Sequence, residues 1–133
     1  MSPVEEHPTS LLAGISNAMV ALHKEQFGRG PMSARSHFAG PNVLVCVLED
    51  ALLPAERKLV QMGDHERVRE TRLAFQVATS DEFVRAVEQI VGRKVRAFAS
   101  ATDVAQNVVF ENCVFESDAI GDGDAPATSL PRS

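Results

Sequence analysis

The sequence predicts an α+β fold: two helix–β-hairpin units forming a mostly antiparallel four-stranded sheet with helices on one face. Three observations carry this. Apolar residues recur at helical spacing in long stretches and in strand-like runs between them. Gly and Pro fall at the junctions. Two segments also echo each other: "FGRGPMSARSHFAGPNVLVCVLE", residues 27–49, and "VGRKVRAFASATDVAQNVVFENCVFE", residues 91–116. Both open on an apolar residue and Gly-Arg (Gly28-Arg29, Gly92-Arg93). Both carry Asn-Val before a second strand (Asn42-Val43, Asn107-Val108) and close on Cys-Val-apolar-Glu, at Cys46–Glu49 and Cys113–Glu116. The match falls at the punctuation that a repeated unit needs.

The first helix is predicted from Ser10 to Phe27, with Leu12, Ile15, Met19 and Leu22 on one stripe and Thr9 or Ser10 as N-cap. Gly28 ends it in a left-handed conformation, and Gly30-Pro31 turns the corner into a strand. In that strand, residues 32–39, Met32, Ala34, Ser36 and Phe38 alternate with Ser33, Arg35 and His37. "GPN" is the turn, and "VLVCVLE", residues 43–49, is apolar on both faces, as a central strand is. One open face does not require that, so a homodimer or other partner over the second face is expected.

Pro54 suits the first turn of a short helix ending near Gln61, and Asp64 caps the next. That helix begins at His65 with Val68, Ala74 and Phe75 available for burial. Thr79–Glu82 matches a Thr-x-x-Glu capping box and predicts a restart or kink. Phe83, Val87, Ile90 and Val91 form the next stripe, which Gly92 closes. Strands at 94–101 and 108–116 complete the second unit. The organisation is a disordered tail at 1–8, one domain at 9–116 and a disordered acidic tail at 117–133.

Composition narrows the function. From residue 10 to 116 there are 12 Lys/Arg against 13 Asp/Glu, so the domain is nearly neutral. Trp and Tyr are absent, which removes most of the stacking platform that single-stranded nucleic acid requires. No nucleic-acid partner is expected. The longest apolar stretch, Leu11–Leu22, is too short to span a bilayer. Two cysteines and an acidic, polar start point to a reducing, cytoplasmic compartment.

The candidate chemistry is sparse. "FGRGP" is a helix corner rather than a phosphate cradle: the helix ends there, and Pro31 offers no N–H. His7, His23, His37 and His65 show no metal spacing and read as surface or structural residues. Cys46 and Cys113 read as buried small hydrophobes in equivalent positions. Glu49 and Glu116 sit at strand ends and could meet if the units are symmetric, but read as solvated termini. Arg57, Lys58, Arg67, Arg69 and Arg72 alternate with Glu56, Glu66 and Glu70 as on a solvated helix face. No catalytic set, metal or cofactor is expected. The best anion- or partner-facing patch is Arg93, Lys94 and Arg96, joined by Arg29 if the two units lie side by side.

"KEQFGRGP", "VLVCVLEDALLPAERKLVQMG", "RVRETRLAFQ" and "VGRKVRAFASATD", in this order, resemble the MpsC-like family of small bacterial proteins over about residues 15–116. The family's name refers to a sodium-translocating, membrane-potential-generating system. The resemblance implies a soluble, non-enzymatic accessory or regulatory component of a cation or bicarbonate uptake system. It would contact a membrane transport subunit from the inner face of the plasma membrane, without inserting. A small-molecule or anion-sensing domain is the alternative. The family supplies no catalytic residues. Leu53 departs from its pattern, standing where Thr often caps the short helix.

Overall fold

The computed structural model describes residues 8–117. The elements run α1(Pro8–Phe27), β1(Ser33–Phe38), β2(Val43–Glu49), α2(Pro54–Gln61), α3(His65–Val91), β3(Val95–Asp103) and β4(Val108–Phe115). The four strands form one wholly antiparallel sheet in the order β1-β2-β4-β3. The two hairpins therefore join through their second strands. Val43 lies opposite Val114 and Glu49 opposite Val108, so β2 and β4 run the length of the sheet side by side.

The two corners are built alike. Gly28 and Gly92 adopt φ of 85° and 77°, and each N–H bonds to the carbonyl four residues back, on Lys24 and Glu88. This is the left-handed helix ending that glycine tolerates best. Gly30 has a different reason: a Cβ there would stand 3.1 Å from both Cγ1 and O of Val20. Gly30 thus lets the chain lie flat on α1, and Pro31 is buried beside it. The two Asn-Val steps are also alike. Asn42 O accepts from Phe115 N, and Asn107 O accepts from Asp50 N. Each asparagine fastens the far end of the other hairpin's inner strand. The Cys-Val-apolar-Glu endings do not match in this way, because Cys46 pairs with Glu111 while Cys113 pairs with Leu44.

Four local expectations are corrected. α1 begins at Pro8, ahead of the expected start at Ser10 with Thr9 or Ser10 as N-cap; residues 1–7 and 118–133, where most of the two expected tails falls, lie outside the described residues. α3 runs unbroken for 27 residues through Thr79–Glu82. Thr79 Oγ1 donates back to Phe75 O at 2.7 Å, which spends the hydroxyl along the helix instead of capping a new one. Ala74 and Phe75 are exposed, and the side chain buried on that turn is Arg72. Met32, expected on the inward face of β1, precedes the strand and is 72% exposed.

The core lies between the sheet and α1 and α3. Ile15 and Met19 from α1 and Phe83 and Val87 from α3 pack on Leu44, Cys46, Leu48, Val109, Cys113 and Phe115. A smaller cluster of Leu52, Val68 and Val104, with Leu59 and Val60, seats α2 at one end. Leu53 makes no side-chain cap for α2, but Glu56 Oε1 accepts the Leu53 N–H at 2.7 Å, supplying the reverse half of a capping box. The opposite face of β2 and β4 carries Val43, Val45, Val47, Val108, Phe110 and Val114, none of which joins either cluster.

Candidate functional site

Polar chemistry inside the domain is concentrated in one column. His23, one turn beyond Met19 on the buried stripe of α1, faces Glu111 in the middle of β4, with Nε2 2.9 Å from Oε2. His23 stacks on Phe27 at 5.7 Å and meets the edge of Phe83 at 5.4 Å. Arg72 lies over the other partner of that stack, 4.0 Å from the Phe27 ring centre. Its guanidinium donates to both carboxylate oxygens of Glu56, at 2.9 and 2.6 Å, and to Ala51 O at 3.0 Å. The column Glu56–Arg72–Phe27–His23–Glu111 therefore ties α2, α3, α1 and β4 together.

A space beside it is lined by His23, Phe27, Arg72, Phe83 and Glu111 with Gln26, Gln76 and Thr79, and at about 10 Å³ it fits one water. Glu111 Oε1 and Gln26 Oε1 are buried and, among the described residues, take no hydrogen bond. The pair holds α1 against β4. Sequence reasoning missed this column. It read His23 as a plain histidine and Arg72 as solvated, although Val68, Arg72, Phe83 and Val87 share a helical stripe.

Arg29 does not join Arg93, Lys94 and Arg96. Arg29 donates to Asp50 O and Leu52 O, just beyond the C-terminal end of β2. Arg93 donates to Pro41 O, Asn42 Oδ1 and Glu116 O at the other end of that strand. The two arginines clamp opposite ends of the sheet and spend their donors on carbonyls. Arg93 and Lys94 do share an open recess of about 310 Å³ with Arg85 and Glu88. It lies at the C-terminal end of α3, where helix carbonyls disfavour an anion. Arg96 is exposed at the bulge in β3. Glu49 and Glu116 likewise sit at opposite ends of the sheet, and Glu49 pairs with Arg35.

A second surface feature lies beside the column. Leu73 and Val77, on successive turns of α3, are 60% and 71% exposed. With Gln76, Ser80, Phe98 and Ser100 they line a groove of about 240 Å³ between α3 and β3, one of the two edge strands of the sheet. Ser100 Oγ faces it, buried and without a hydrogen-bond partner.

Residues 8–117, the whole of the described fold, match the family described as "Na+-translocating membrane potential-generating system (MpsC)". The chain belongs to the MpsC family. No curated protein and no solved structure matches it. Among the described residues of this MpsC chain, no helix is long and apolar enough to cross a membrane. Nor, among those residues, is any group of three or more His, Cys, Asp or Glu side chains placed to hold a metal ion. Cys46 and Cys113 lie in the core, and burial pushes their thiols up to about 11 and about 12. Both are protonated at neutral pH and neither is poised as a nucleophile.

Proposed function

We propose that this MpsC chain is a non-enzymatic accessory component of a membrane cation or bicarbonate uptake system, acting through protein contacts from the cytoplasmic side. The observation that carries the reading is the α3–β3 groove. It joins exposed apolar side chains, Leu73 and Val77, to the open backbone of an edge strand. An extended segment of a transport subunit can add to such an edge and seat alternate side chains beside it. The family description places related chains in a membrane-potential-generating system, and the interior column offers rigidity rather than reactivity.

The test is complementation of a deletion strain at limiting sodium or bicarbonate, paired with affinity purification. The natural chain restores growth and brings down a polytopic transport subunit. Leu73→Asp with Val77→Asp, which leaves far-UV circular dichroism unchanged, loses both. Normal growth of the deletion strain together with no transport protein in the eluate would sink the reading.

A further inference from the structure

The sheet face turned away from α1 and α3 has a lateral pattern. Its two central strands are apolar, with Val45 and Val47 on β2 and Phe110 on β4. Its two margins differ. The β1 margin carries the long side chains Arg35 and His37, and the β3 margin carries Ala99 and Ala101 with Asp103 at the end. In register, Arg35, Val47, Phe110 and Ala101 form one row across the sheet, and His37, Val45, Asn112 and Ala99 form the next.

We propose that this face binds a second copy of the chain, sheet to sheet, about a two-fold axis parallel to the strands. Such an axis exchanges the margins: β1 of one copy lies over β3 of the other. Arg35 and His37 then fill the space above Ala101 and Ala99. The guanidinium of Arg35, held 3.2 Å from Glu49 of its own chain, comes beside Asp103 of the second copy. In the middle, β2 packs on β4, so Val47 meets Phe110 at the roughly 10 Å separation of packed sheets. A two-fold axis across the strands would instead set Arg35 and His37 against themselves and alanine against alanine, with like charges on one side and a void on the other.

The pairing is independent of the α3–β3 groove, so Leu73→Asp with Val77→Asp leaves it intact.

Light scattering after size exclusion, with sedimentation equilibrium, tests the proposal on the full chain. The expected mass is twice 14.4 kDa. Phe110→Lys gives a folded chain of the single mass. Arg35→Asp and Asp103→Arg, both at exposed positions and both checked for native far-UV circular dichroism because Asp103 Oδ1 also accepts the Gln106 N–H, each weaken the dimer by about tenfold, and the combination recovers most of that loss. A natural chain that stays at the single mass at every concentration overturns the proposal. So does a dimer that survives Phe110→Lys with unchanged affinity, or a charge exchange that fails to recover. Cross-links joining Phe110→Cys to residues 118–133 of the same chain would assign the face to the tail, and also overturn it.

Discussion

Among the described residues, two buried side-chain pairs, Arg72–Glu56 and His23–Glu111, are finished to different degrees. Arg72–Glu56 is closed: the carboxylate takes two guanidinium bonds and the Leu53 N–H, and the guanidinium also holds Ala51 O. His23–Glu111 is open: one contact is made, and Glu111 Oε1 has no partner among the described residues. The difference comes from the backbone around each carboxylate. Glu56 stands in the first turn of α2, where N–H groups have no helical partner and can bond to it. Glu111 stands in mid-strand, where the ladder already uses the backbone donors, so only side chains can reach it. A buried charge is best satisfied where secondary structure begins.

That contrast can be broken experimentally. The largest effect is expected from Arg72→Met, which strands Glu56 and frees Ala51 O; chemical denaturation should lose about 3–5 kcal/mol. His23→Leu leaves Glu111 without its one partner, and a loss of about 2 kcal/mol in the same measurement is expected. Replacing both members by leucine then sharpens the comparison. At His23 and Glu111 the double change should recover most of the single loss, since apolar substitution of a buried pair is often neutral. At Arg72 and Glu56 it should not, because Leu53 N and Ala51 O lose their partners too. Equal recovery at both sites would show that the two pairs are equivalent after all.

Cys46, directly across the sheet from Glu111, reports the same apolar surroundings through pH. Its folded pKa, and that of Cys113, is raised above the ordinary value of 9.0. Both therefore favour the folded state fully below that value, and stability falls as pH rises toward about 11 and about 12. Thermal melts of Cys46→Ala with Cys113→Ala should show a shallower decline over that window. The smallest effect belongs to the exposed pair Glu66–Arg69, 3.1 Å apart on α3. Arg69→Ala should cost about 0.2–0.5 kcal/mol and vanish in high salt.

The sequence made the fold legible wherever a local rule decided it. Gly28 and Gly92 marked both helix ends because a left-handed residue there favours glycine. The continuous apolar run at 43–49 identified a central strand, and β2 does lie between β1 and β4. The site was less legible. Arg72 reads as one more charge on an arginine-rich helix until Glu56 is known to stand beneath it, 16 residues earlier. The same holds for His23 and Glu111, 88 residues apart. Arg29 and Arg93 were correctly placed at matching corners, yet antiparallel pairing of β2 and β4 sends those corners to opposite ends of the sheet. Strand direction between units is a global property that no local spacing encodes.

The reciprocal asparagine contacts bear on how the chain reaches this state. Each hairpin is a local event, but β2 finds β4 only by closing a loop of more than fifty residues, an entropic cost that grows slowly with length and is met before the contacts form. Asn42 and Asn107 then latch the seam from both ends. Neither half has a finished edge without the other, so hydrogen exchange at β2 and β4 should slow together, in one cooperative unit.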